Sequence, residues 1–112
     1  MIYESQLQHD IRLALGREPD LVLFRNTVGS GVVAGRWQRF GLCPGSADLV
    51  GVLAPFGRWF CLEIKTERGK SSDGQEMWAE MMRRHGASVY TVRSVEEARE
   101  ALADARMKKC KP

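Results

Sequence analysis

The chain has 112 residues, 44% hydrophobic and 28% charged, which fits one globular domain and leaves no room for a second. No apolar run approaches the roughly 18–20 residues that span a bilayer, and no basic stretch followed by an apolar one opens the chain, so membrane and secretory roles are excluded and a cytoplasmic setting is expected. The net charge of +3 permits binding to a polyanion without demanding it. Cys43, Cys61 and Cys110 are an odd set with no two close in sequence, which argues against a disulfide framework or a zinc knuckle.

In chain order, residues 4–15 read as a helix, because Leu7, Ile11, Ala14 and Leu15 recur at helical spacing and Gly16 is a plausible stop. Glu4 falls on the same stripe. Either its carboxylate points toward the protein, or it is a first-turn acid favoured by the helix dipole. Pro19-Asp20 marks a turn, and residues 21–25 (LVLFR) read as a buried strand. Residues 27–45 are glycine-rich and interleaved with Arg36, Trp37, Arg39 and Phe40. The stretch is too long for an idle connector in so small a domain. Arginines beside aromatics in a flexible loop suit phosphates and bases; the alternative is a solvated loop with Trp37 tucked onto the core.

Residues 47–53 and 58–65 are two strands joined by the turn Ala54-Pro55-Phe56-Gly57, hence an antiparallel hairpin. A polar loop over 66–74 leads into a helix at 75–85, which buries Met77 or Trp78 together with Met81 and Met82 and is closed by Gly86. A strand at 88–92 follows. Ser94 and Glu97, at capping-box spacing, then open a last helix with Val95, Ala98, Leu102 and Ala105 on one face. The order helix, three strands, helix, strand, helix predicts a mixed α/β domain over residues 1–107, with a basic tail at 108–112.

The strand at 58–65 carries the chemistry. By its period of two, Trp59, Cys61, Glu63 and Lys65 share one face and Phe60, Leu62 and Ile64 the other. A strand apolar on both faces is central and buried, so Glu63 must be paired, hydrogen-bonded or metal-bound. Lys65 lies about 7 Å along the same face, and Asp48 opens the neighbouring strand. Two carboxylates and a lysine thus converge at one end of a hairpin. Phosphodiester hydrolysis needs such a set: a hard divalent cation held by carboxylates offsets charge on the phosphorus oxygens and lowers the pKa of a bound water. A lysine beside it stabilises developing charge.

Asp48 followed by Glu63-Ile64-Lys65 resembles the PD-(D/E)xK nuclease superfamily, and more closely its virus-type replication-repair nuclease (VRR-NUC) family. The resemblance is carried by Glu4, Arg39-Phe40-Gly41-Leu42, Pro44-Gly45-Ser46-Ala47-Asp48-Leu49, Glu63-Ile64-Lys65, Gly69-Lys70-Ser71 and Gln75, and spans roughly residues 1–102. It implies a restriction-endonuclease-like α/β core with a mixed central sheet and Mg²⁺ or Mn²⁺ as cofactor. Asp48, Glu63 and the Ile64 carbonyl would be ligands, with Glu4 reaching in from the first helix as a further one. Lys65 would be the catalytic lysine, and Gln75 would support the site by hydrogen bonding. The superfamily proline stands directly before its Asp; here Ala47 does, and Pro44 is four residues earlier.

Two rival readings are weaker. Gly69-Lys70-Ser71 follows a strand and precedes a helix, but a phosphate-binding P-loop needs a glycine five residues before Gly69, where Ile64 stands; no nucleotide cofactor is expected. A non-catalytic DNA-binding module would not require Asp48, Glu63 and Lys65 together. The reading is therefore a metal-dependent endonuclease acting on branched DNA, four-way junctions first and flap or nonspecific cleavage second. Arg36, Arg39, Arg68 and Lys70 are the candidate DNA contacts. The family's stand-alone members, typical of phages and bacteria, resemble junction resolvases in acting as homodimers, and the many large aromatics here leave surplus for an interface.

Overall fold

A computed structural model describes residues 3–108; Met1, Ile2, Cys110 and most of the expected basic tail lie outside them. The elements are α1 (Glu4–Leu15), β1 (Leu21–Arg25), β2 (Gly29–Val33), β3 (Arg36–Phe40), β4 (Leu49–Leu53), β5 (Arg58–Ile64), α2 (Asp73–Arg84), β6 (Ser88–Val92) and α3 (Val95–Met107). Four strands form the central sheet in the order β1-β4-β5-β6. The first two pairings are antiparallel and the last is parallel, so the sheet is mixed, as expected.

The period-two reading of β5 holds on both faces. Phe60, Leu62 and Ile64 pack with Leu7, Ile11 and Leu15 of α1 and with Ala98, Leu102 and Ala105 of α3. On the other face Cys61 packs with Trp78 of α2, Val89 and Ala47. In α2 it is Trp78 that is buried. Met77 and Met81 are exposed and Met82 is half-buried, so the helix lays a narrower stripe on the sheet than its run of methionines suggests. It begins at Asp73, two residues earlier than predicted, because Ser72 is its N-cap in a reciprocal capping box with Gln75. The expected box at Ser94 is only half formed: Ser94 accepts from the Glu97 N–H, but the Glu97 carboxylate accepts from the Arg93 N–H.

Most of the glycine-rich segment is not a loop. β2 and β3 pair antiparallel into a two-stranded sheet separate from the central one. Ala34 and Gly35 turn the chain with φ of 51° and 79°, and positive φ at both central residues is the type I′ geometry that matches hairpin twist. The radius of gyration of 14.5 Å exceeds the roughly 13 Å typical of this length. Trp37 is not tucked onto the core: it is 70% exposed. Among the described residues no helix is long and apolar enough to cross a membrane.

Candidate active site

β5 delivers Glu63 to the α2 side of the sheet with only 6% of its surface exposed. Three neighbours meet it. Gln75, in the first turn of α2, donates from Nε2 to Glu63 Oε1 at 3.1 Å. The Lys65 ammonium, two residues along the same face, lies 3.9 Å from the same oxygen. The third neighbour is Asp48, just before β4, which shares a hydrogen bond with the Glu63 carboxyl. Asp48 Oδ2 also accepts from the Ile64 N–H at 2.8 Å. In an extended residue the N–H and C=O project to the same edge of the strand, so the Ile64 carbonyl lies on Asp48's edge of β5. The Lys65 N–H points the other way, to Val92 O.

The predicted residues Asp48, Glu63, Ile64, Lys65 and Gln75 are therefore brought together. Glu4 is not part of that contact set. It is exposed in the first turn of α1 rather than turned inward, since the buried stripe starts only at Leu7. Its charge nevertheless acts on Glu63. Among the described residues no group of three His, Cys, Asp or Glu side chains converges at metal-binding distance; the acidic centre is the pair Asp48–Glu63. Arg36 and Arg39 stand on the β2–β3 hairpin, and Arg68 and Lys70 in the loop after β5, all exposed. In that loop the Gly69 N–H donates to Thr66 O at 3.0 Å.

Burial pushes the Glu63 carboxyl up to about 8, helped by the hydrogen bond to Asp48 and by its charge; Lys65 opposes the shift and Glu4 adds to it. The folded protein thus holds a proton that the unfolded chain loses near its ordinary value of 4.5. Stability from this group is greatest below the ordinary value and falls as pH rises from about 4.5 toward about 8. Melting in EDTA should show that decline and Glu63→Gln should abolish it; an equal pH dependence in the variant would contradict the assignment. A divalent cation suits this donor set, because it would replace the shared proton between two carboxylates. Its stabilising effect should grow over the same pH interval.

Two positioning residues, Asn26 and Arg93, went unread in the sequence, and a third, Gly45, was singled out there without its structural role. Asn26, buried at the end of β1, donates from Nδ2 to Ala47 O at 2.7 Å and Ser46 Oγ at 2.8 Å, and accepts from the Leu42 N–H at 3.0 Å. Its backbone N–H donates to Asp48 O at 2.8 Å. Arg93 Nη1 donates to Thr66 O at 2.6 Å and pins the loop after Lys65. Gly45, at φ 87°, brings the turn before Asp48 against α2, where a Cβ would meet Gly74 O at 2.7 Å. The first two are single polar residues with no motif around them, and only the fold shows their partners.

A mixed sheet with helices on both faces, and an acidic pair with lysine at the end of its central hairpin, places the chain in the mixed α/β class. More particularly, it is the fold of the VRR-NUC domain. A solved structure described as "VRR_NUC domain" matches with a TM-score of 0.57 and 24% identity over 89% of this chain and 94% of that one. No family model matches the sequence, and no curated protein does.

Proposed function

We propose that the protein is a Mg²⁺- or Mn²⁺-dependent endonuclease that hydrolyses phosphodiester bonds in branched DNA, four-way junctions foremost. The observation that carries this is the contact set at one end of the β4–β5 hairpin: Glu63 buried against Asp48, Lys65 and Gln75. Asp48, Glu63 and the Ile64 carbonyl would hold the cation, with Glu4 available from α1. The bound cation would supply Lewis-acid stabilisation and an acidified water. Lys65 places a positive charge where the phosphate's charge develops. Gln75 holds the Glu63 carboxylate in a single rotamer, and the Ile64 N–H does the same for Asp48. Arg36, Arg39, Arg68 and Lys70 provide the backbone contacts to DNA.

A homodimer would match the two-fold symmetry of a four-way junction, which needs two related nicks. An uncovered apolar patch supports this. Val22, Val52 and Trp59 are opposite one another across β1, β4 and β5, and all three are exposed, with Phe24 on the same face. On that face Trp78 of α2 packs with Cys61 and Val89, with Val50 partly buried against them, and the row of Val22, Val52 and Trp59 is left exposed.

The deciding experiment compares cleavage of four-way junction, flap, nicked and linear duplex DNA with Mg²⁺, with Mn²⁺ and with EDTA. Metal-dependent paired nicks in the junction are expected. Folded protein that cuts none of these with either metal would overturn the reading, whereas flap preference would leave the nuclease and change its substrate. Trp59→Glu should convert the dimer to monomer in light scattering and reduce paired nicking. A dimer of unchanged strength would move the interface off this face.

A further inference from the structure

We propose that one face of the β2–β3 hairpin is a stacking platform for an unpaired base of branched DNA, with Arg39 engaging that nucleotide's phosphate. This rests on the nuclease reading and names the element that would hold a base left unpaired at the branch, as in the fork and flap substrates of that reading.

Side chains two apart in a strand, and those directly opposite across a ladder, share a face. The register pairs Val32 with Trp37 and Ser30 with Arg39, so Trp37, Val32 and Arg39 lie together on one side of the hairpin. Trp37 is 70% exposed and Val32 69%. A large indole standing in water beside an exposed valine, with a guanidinium about 7 Å along the strand, offers an apolar surface next to a phosphate-binding group. That pairing is what nucleic-acid binders use on unstacked bases, because every base has a π-face to lay on an aromatic ring. On the opposite side the Phe40 ring lies across Gly29, where a Cβ would come within 2.8 Å of it, so the two faces are built differently.

Charge indicates the occupant. Residues 21–47 contain Arg25, Arg36 and Arg39 and no Asp or Glu, a segment charge of +3 that equals the net charge of the whole chain. A polyanion is complementary to this. A second copy of the chain is not, because a two-fold contact through this face would set like arginines against each other. The hairpin is also placed for the task. Its root at Thr27 and Val28 lines one groove with Arg25, Asp48 and Gln75, so a strand held on the hairpin is led toward the acidic pair.

The test measures binding in EDTA, so that no strand is cut, to two DNA probes of equal length containing 2-aminopurine. One is a fork with the 2-aminopurine unpaired at the branch; the other is fully paired. Trp37→Ala should lower the preference for fork over duplex about tenfold, with Trp37→Phe keeping most of it. The wild-type protein should quench the unpaired 2-aminopurine, and Trp37→Ala should not. Arg39→Gln should flatten the salt dependence of binding by roughly 0.9 in slope. Because Trp37 is exposed, its variants should melt with the wild type. A preference unchanged in Trp37→Ala, or an equal loss on both probes, overturns the platform. So does dissociation of a dimer by Trp37→Ala in sedimentation, which would make this face an interface between copies. Fork binding without any metal-dependent cleavage would instead remove the nuclease reading and leave the platform standing.

Discussion

Glu63→Gln should lower DNA cleavage by about a thousandfold while the protein stays folded and still binds DNA. The carboxylate it removes is buried and shared with Asp48, with Lys65 and Gln75 as its other partners. Losing several kcal/mol of charge stabilisation in the transition state corresponds to about three orders of magnitude in rate. Glutamine has the shape of the protonated acid that the metal-free site favours. Its melting temperature near neutral pH should therefore equal or exceed that of the wild type, because folding no longer has to protonate a carboxylate that the unfolded chain leaves ionised. Lys65→Ala should cost on the order of 10²–10³-fold, the usual loss for one preorganised donor to developing charge. Single-turnover cleavage with bound DNA separates these effects from affinity. Near wild-type rates in either variant would remove the mechanism.

Asn26→Ala should be the most damaging substitution among residues that do not touch the DNA. The side chain satisfies the Leu42 N–H, the Ala47 carbonyl and the Ser46 hydroxyl in a buried position. Leaving buried polar groups unpaired costs about 1–3 kcal/mol each, so a total near 2–4 kcal/mol is expected, or roughly 10 °C in Tm for a domain of this size. Asp48 should also shift, since the carbonyl of the residue before it loses the Asn26 side-chain amide. Cleavage well below the melting temperature should then fall at least about tenfold, with DNA affinity less affected. A Tm within about 2 °C of wild type would show that the polar hub relaxes onto water instead.

Much of this arrangement was legible in the residues. β5 could be read on both faces because apolar residues occupy both of them, a pattern that only a strand covered on each side can bury. Its central place follows from that pattern, and so does the burial of Glu63. Helix α1 was read to its ends, and α3 to its start at Ser94, because their apolar residues repeat at a fixed interval and their boundaries carry Gly16 and Ser94. The hairpin of β2 and β3 was misread because its signals are weak. Gly29 and Gly31 lower strand propensity, and its type I′ turn is Ala34-Gly35 rather than Asn-Gly or Asp-Gly. The spacing of Glu4 left its direction open and only the resemblance turned it inward; it is exposed, because the buried stripe of α1 starts at Leu7.

Alone, the chain's letters determined which side chains are apolar, at what period, and which charged groups must accompany them into the interior. That is enough for the strand carrying Glu63 and Lys65, and for the partnership with Asp48. Only the tertiary structure decided that Asn26 clamps the turn before Asp48 and that Trp78, not Met77, is the buried residue of α2. It also decided that Trp37 stands in water and that Val22, Val52 and Trp59 are left bare on one sheet face. The reason is physical: periodicity is a local property of one element, whereas a hydrogen bond between residues 16 or 21 apart, or the extent to which a helix covers a sheet, depends on how separate elements meet.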